Sequence, residues 1–354
     1  MWLVERLGRF TALVVLAVVA GLTFLFLTLA EAVSWWFLIP AVPFVLLVLP
    51  ALALVLGMIF AGTSRSGPEG IDRSEAPDLW NAVDAALGDL GTGDVRLHLS
   101  DDLNASVGRT RRFAGLGSVL HVTLGLPLLA LLDRSGLDAV LAHEAAHVRF
   151  KDVNGARNVA EFVDCFDLVF DYVPPGESVV GTVILFGLND LAHYAQLDFA
   201  RLSRRAELRA DDAAAQQGDA RAPARALKLL AAGGAFIEDE IATPLKREML
   251  GSYGVVESPF SRIMRRLNEM RTPAGVEGWF RKAMEKEARE KAQERHAATH
   301  PPIRERLLAL GVPPDFAIDR LGPPVLAELV PAPLAERLSK RFETEWVEET
   351  RPLD

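Results

Sequence analysis

Two uncharged apolar stretches at the head of the chain, three residues apart, restrict its architecture more than any other feature. Thr11 to Ala30 is twenty residues without a charge, and Ser34 to Ala61 is longer and also uncharged, with Pro40, Pro43 and Pro50 inside it. Twenty helical residues span roughly 30 Å, the depth of a hydrocarbon core. Only Glu31 to Val33 lie between the stretches, so they are expected to form a tight antiparallel transmembrane hairpin over residues 1–62, touching lipid through 11–30 and 34–61. A cleaved leader is the competing reading, but the first apolar run is longer than a signal core and a second follows at once. Arg6 and Arg9 precede the first run, Arg65 and Arg73 follow the second, and the turn holds no basic residue. Positive charge gathers on the cytoplasmic side of membrane helices. The chain is therefore expected to be an integral membrane protein with its N-terminus and its long remainder in the cytoplasm.

Composition narrows the rest. A single cysteine, Cys165, excludes an intrachain disulfide and fits a reducing compartment. The net charge of −9, with no basic stripe, gives no reason to expect a nucleic acid partner. After a polar Gly/Ser/Pro linker at Gly62 to Pro77, the pattern predicts mostly helix with a little strand. Helices are expected at Asp78 to Leu90, Pro127 to Leu132, Leu137 to Phe150, Val153 to Phe170, Ser178 to Gln216, Ala222 to Ala235 and Trp279 to His296. Strands are expected at Val95 to Leu99 and Ser118 to Leu124, where apolar and polar residues alternate, with a turn at Asp101 to Asn104. Val179 to Leu188 is apolar but too short to cross a bilayer. The fold class is α+β, mostly helical with a small β-sheet. The domain division is a hairpin at 1–62, a central domain at 63–310 that carries the motifs below, and a small proline-bearing C-terminal appendage at 311–354.

The chemistry is carried by His143-Glu144-Ala145-Ala146-His147. Residues four apart share a helical face, so His143 and His147 can grip one ion while Glu144 projects near the position where a water would sit. An ordinary half-buried, charge-laced helix would carry the same five residues, so the pattern needs a further ligand. Two histidines holding zinc require a third protein ligand and leave one position for water or substrate. Glu207 and Asp211 are four apart on a later predicted helix: one can ligate while the other accepts a hydrogen bond from a ligand imidazole. A solvated, ion-paired helix would look similar in isolation.

Three separated motifs together resemble the membrane-anchored zinc metallopeptidases of the HtpX heat-shock protease and CAAX prenyl endopeptidase family, a gluzincin group. They are Leu141-Ala142-His143-Glu144-Ala145-Ala146-His147 with Asp152 beyond, Ser203-Arg204 with Glu207 and Ala210-Asp211, and Thr299-His300-Pro301-Pro302 with Arg306. Asn104-Ala105 also looks like the family's substrate-side edge. The resemblance covers Leu79 to Leu310 and implies a gluzincin-like metallopeptidase domain. It implies one Zn2+ per chain held by His143, His147 and Glu207, with Glu144 as general base and Asp211 supporting a ligand histidine. It also implies that His300 and Arg306 stabilise the oxyanion or position substrate.

The expected activity is endopeptidase cleavage of polypeptides, membrane proteins among them, in a quality-control setting. An extended peptide is expected to add to the strand at Ser118 to Leu124. Ala145 and Ala146 depart mildly from the family's motif, and the short apolar run at Val179 to Leu188 departs from relatives with extra membrane spans. An intramembrane protease is disfavoured because Asp133, Arg134, Asp138, Arg149 and Lys151 surround the motif. The alternative from another class is a membrane-tethered binding or scaffold protein with a non-catalytic metal site.

Overall fold

The computed structural model describes residues 11–42, 45, 70–111, 118–150, 176, 200–217, 219, 221–251, 256–289 and 300–350. Helix α1 (Thr11–Ala32) has no charged residue before Glu31, and a single 3-10 turn at Trp35–Phe37 follows it. The chain therefore turns where the break between the two apolar runs predicts. Side chains in α1 are described without a gap only over 20–32, and among the described residues no helix is long and apolar enough to cross a membrane. Most of the second expected span lies outside the described residues, as do the helix expected at Val153 to Phe170, the apolar run at Val179 to Leu188 and Cys165.

The sheet explains how the domain around the histidine motif is framed. Strands β1 (Asp94–Ser100), β2 (Ala105–Arg111) and β3 (Ser118–Gly125) lie in the order β1-β3-β2, with β1 parallel and β2 antiparallel to β3. Alternation turns Leu97, Leu99, Leu120, Val122 and Leu124 into the core. To reach β2, the chain leaving β1 must cross the end of β3, and it does so over Gly125. A Cβ built there would lie 1.6 Å from the carbonyl oxygen of Asp102, so no side chain larger than hydrogen fits beneath the crossing. The Gly125 N–H donates to the Asn104 carbonyl across 2.9 Å.

Strand β2 is a departure from the sequence reading, which has no strand between 104 and 118. Its consequence is a correction. The strand at Ser118 to Leu124 cannot receive an added peptide, because β3 is central and paired on both sides. Among the described residues β2 is the sheet's edge on the catalytic side. In an antiparallel pair, alternate residues exchange bonds with the partner. The Gly125–Asn104 bond sets that phase, so Ser106 and Gly108 face β3 while Ala105 and Val107 turn their backbone groups outward.

Helices α2 (Pro77–Leu87), α3 (Leu126–Leu131) and α4 (Arg134–Arg149) surround the sheet, and α4 packs on both β2 and α2. Asp133 caps α4, its Oδ1 accepting from the Gly136 N–H at 2.9 Å. Leu137, Val140, Leu141 and Ala145 are buried along one stripe of α4, which leaves the motif side chains half-buried on another. The helical segment at 200–216 (α5) follows. Next come α6 (Ala222–Ile237), a π-turn at Glu238–Ala242, α7 (Thr243–Gly251), α8 (Pro259–Met270) and α9 (Pro273–Arg289). Helix α9 packs on α6, where Phe236 meets Trp279 edge to face at 5.4 Å. Lys228 of α6 is fully buried, 2.6 Å from Glu277 of α9 and hydrogen-bonded to the Phe316 carbonyl.

Beyond α10 (Ile303–Ala309), the stretch expected as an appendage carries α11 (Leu326–Leu329) and α12 (Ala332–Thr350). Val325, Leu329, Leu334, Leu338 and Phe342 belong to the same apolar core as the sheet and α4. Phe342 meets Phe260 of α8 at 5.1 Å, and Glu343 accepts from Ser258 at 2.5 Å.

Candidate metal centre

Three elements far apart in sequence deliver the site: α4 supplies His143, Glu144 and His147, α5 supplies Glu207 and Asp211, and α10 with the turn before it supplies Arg306 and His300. The structure brings together all seven residues singled out from the sequence. His143 and His147 present their Nε2 atoms 3.1 Å apart, with the rings edge to face. Glu207 places Oε2 3.5 Å from His143 Nε2 and Oε1 3.5 Å from His147 Nε2. Among the described residues, His143, His147 and Glu207 are the group whose donor atoms all lie within 4.8 Å of one another.

This donor set fits a zinc ion. Ligands sitting about 2.0–2.1 Å from a tetrahedral ion lie roughly 3.4 Å from each other, the spacing found among these three side chains. Asp211 Oδ1 is 3.0 Å from His143 Nδ1, which holds the proton on that nitrogen and turns the Nε2 lone pair inward. Buried Glu207 Oε2 accepts no hydrogen bond, as expected of an atom shaped for a cation, although Arg306 Nη1 stands 3.1 Å away.

Electrostatics follow from burial and pairing. Burial works against charging His143, but its hydrogen bond to Asp211 and the Glu207 carboxylate beside it outweigh that and hold its pKa at about 9. Burial likewise favours neutral Glu207, yet His143, His147, His300 and Arg306 together keep its carboxyl far below the usual range. Asp211 is buried too, and Arg306 and His143 hold its pKa down. Glu144 goes the other way. Desolvation raises its pKa, opposed by the neighbouring imidazoles and by the Val107 amide on β2. His300 is pushed up by its hydrogen bond to Glu207, whose Oε1 lies 3.1 Å from His300 Nδ1.

All these groups line a cleft of about 730 Å³. Its rim includes Asn104, Ala105, Ser106 and Val107 on β2, and its apolar lining includes Leu128, Val140, Ala226, Leu227 and Leu230. A half-buried carboxylate between two metal-binding imidazoles, beside a groove with an open strand edge, can do acid–base work on a bound extended chain. Sequence reasoning missed two features. Val107, whose outward amide faces Glu144, lay in a stretch with little strand character. Arg306 is half of a bidentate pair with Asp211, and nothing in a separation of 95 residues announces such a contact.

Residues 98–312, more than half of the chain, match the family described as peptidase family M48. Two curated proteins, each called "Protease HtpX homolog" and found in the Twist and TW08/27 strains of Tropheryma whipplei, are 33% identical over 111 residues. That stretch is 30% of this chain and 36% of theirs, so the chain spans about a third of the length of these curated relatives. No solved structure matches the chain.

Proposed function

The chain belongs to peptidase family M48, and on that footing we propose that it is a membrane-anchored, zinc-dependent endopeptidase. The observation that carries this reading is the convergence of His143, His147 and Glu207 with Glu144 beside them. Zinc held by those three side chains supplies Lewis acidity towards a water and a scissile carbonyl. Glu144 takes one proton from the attacking water as the new C–O bond forms, and delivers it to the departing amine as the C–N bond breaks. His300 donates a hydrogen bond to the carbonyl oxygen as it gains negative charge. The peptide lies along β2, where the outward carbonyls of Ala105 and Val107 border the cleft.

Anchoring rests on α1 and the turn after it. Phe24 of α1 is 71% exposed, and Trp35 and Trp36 stack at 4.3 Å with more than half of each surface open. Exposed apolar helix with paired tryptophans at its tip suits a hydrocarbon core and its headgroup boundary. Arg6, Arg9, Arg65 and Arg73 support a catalytic domain on the cytoplasmic side, where membrane proteins handled in quality control would be its substrates. The test is cleavage of casein by the detergent-solubilised chain. Activity lost to a chelator and regained with zinc supports the reading, and cleavage indifferent to chelation removes it.

A further inference from the structure

Glu207 and Asp211 stand one helical turn apart on α5, and both are nearly out of solvent. Two carboxylates so placed repel each other at close quarters unless a cation lies between them. The ligand histidines cannot keep such a charge once metal binds, because a histidine must be neutral at the nitrogen that holds it. Arg306 lies in that position. Its Nε donates to Asp211 Oδ2 at 2.8 Å and its Nη2 to Asp211 Oδ1 at 2.7 Å, while its Nη1 pairs with Glu207 Oε2 at 3.1 Å. Only 13% of its side-chain surface is exposed.

We propose that Arg306 is a positioning residue for the metal ligands: it locks Glu207 and, through Asp211, His143 into their binding geometry before metal arrives, and does not act on substrate. This reading differs from the oxyanion role implied by resemblance, and it rests on the zinc reading above. Both nitrogens of its bidentate face are committed to Asp211, and the third is turned to Glu207. A planar guanidinium can serve two carboxylates at once, whereas a lysine ammonium is a single point charge and cannot reproduce the fork. The connection also gives α10 its part in the site. It carries one cation onto a helix of ligands from a segment 95 residues away.

The test is zinc affinity of the full chain in detergent, measured by competition with a chromophoric chelator, for wild type, Arg306→Ala, Arg306→Lys and Asp211→Asn. Arg306→Ala is expected to bind zinc roughly 10–100-fold more weakly, the usual effect of removing a partner behind the ligands. Arg306→Lys is expected to keep the fold yet recover little of that affinity. Casein cleavage by Arg306→Ala should rise with added zinc in step with occupancy, since the groups meeting substrate are intact. Wild-type zinc affinity in Arg306→Ala, or cleavage that stays absent as zinc occupancy rises, overturns the proposal. Should Arg306→Ala fail to fold, Arg306→Lys and Asp211→Asn decide by the same two readouts. A wild-type chain that binds no zinc would instead remove the function proposed above.

Discussion

At the scale of single residues, the proposed function divides the site into groups that hold metal and groups that work on substrate, and substitutions should separate them. Glu144 lies between the two histidines on α4 but outside the donor set, so Glu144→Gln should leave zinc content unchanged while turnover falls about 10²–10⁴-fold. Parallel metal and rate assays check this, and full activity in the variant would refute the general base. His300 is largely exposed and touches the centre only through Glu207, so His300→Ala should retain zinc and lose about 10²-fold in turnover. The i,i+4 spacings of His143 with His147 and of Glu207 with Asp211 made the ligand helices legible in the sequence, because helical periodicity alone puts such pairs on one face. Which of the two acids faces the histidines was not legible from spacing. That depends on how α5 is rotated against α4, a property of tertiary packing.

Among secondary-structure elements, the sheet crossing and the cap of α4 fix where the site residues stand. Gly125→Ala places a methyl against the Asp102 carbonyl and should lower stability by about 1–3 kcal/mol, with peptide binding at the adjacent β2 edge disturbed as well. Thermal unfolding together with KM would register both effects. The edge itself can be probed with two prolines. Val107→Pro deletes the outward amide that bonds Glu144 and should lower turnover while sparing the fold, whereas Gly108→Pro deletes an amide facing β3 and should unfold the sheet. Equal effects from the two would contradict the assigned phase.

Asp133 gives a pH dependence. Burial alone would raise its pKa, but the Gly136 and Gly322 amides and the Ser135 hydroxyl hold it down. A depressed carboxylate stabilises fully above the ordinary aspartate value near ~3.9 and loses that contribution as pH falls through its folded value. The stability gap between wild type and Asp133→Asn should therefore be present at neutral pH and close on acidification. A gap constant down to strongly acidic pH would count against the cap. Strand β2 escaped the sequence reading because Gly108 and Arg109 interrupt its apolar alternation, and alternation never tells whether a strand is central or an edge.

The whole molecule carries an apolar N-terminal helix and a domain whose core runs into α12. The mostly helical α+β class was legible from periodicity, and the three motifs in order pointed to the family that the match over residues 98–312 establishes. The C-terminal stretch was less legible. Its prolines suggested an appendage, yet Leu334, Leu338 and Phe342 recur every four residues and form the buried face of α12. Membrane attachment is tested at this scale. The full chain should remain in the membrane pellet after alkaline carbonate, and a protease added on the cytoplasmic side should reach its C-terminal region. Release by carbonate would contradict anchoring.

The most direct test of the account is the zinc content of the purified chain against that of Glu207→Ala, determined by elemental analysis. One zinc per wild-type chain, with content well below that in the variant, is the predicted result. Equal zinc in the two proteins, or none in wild type, would contradict a metal centre built from two turns of α4 and one carboxylate of α5.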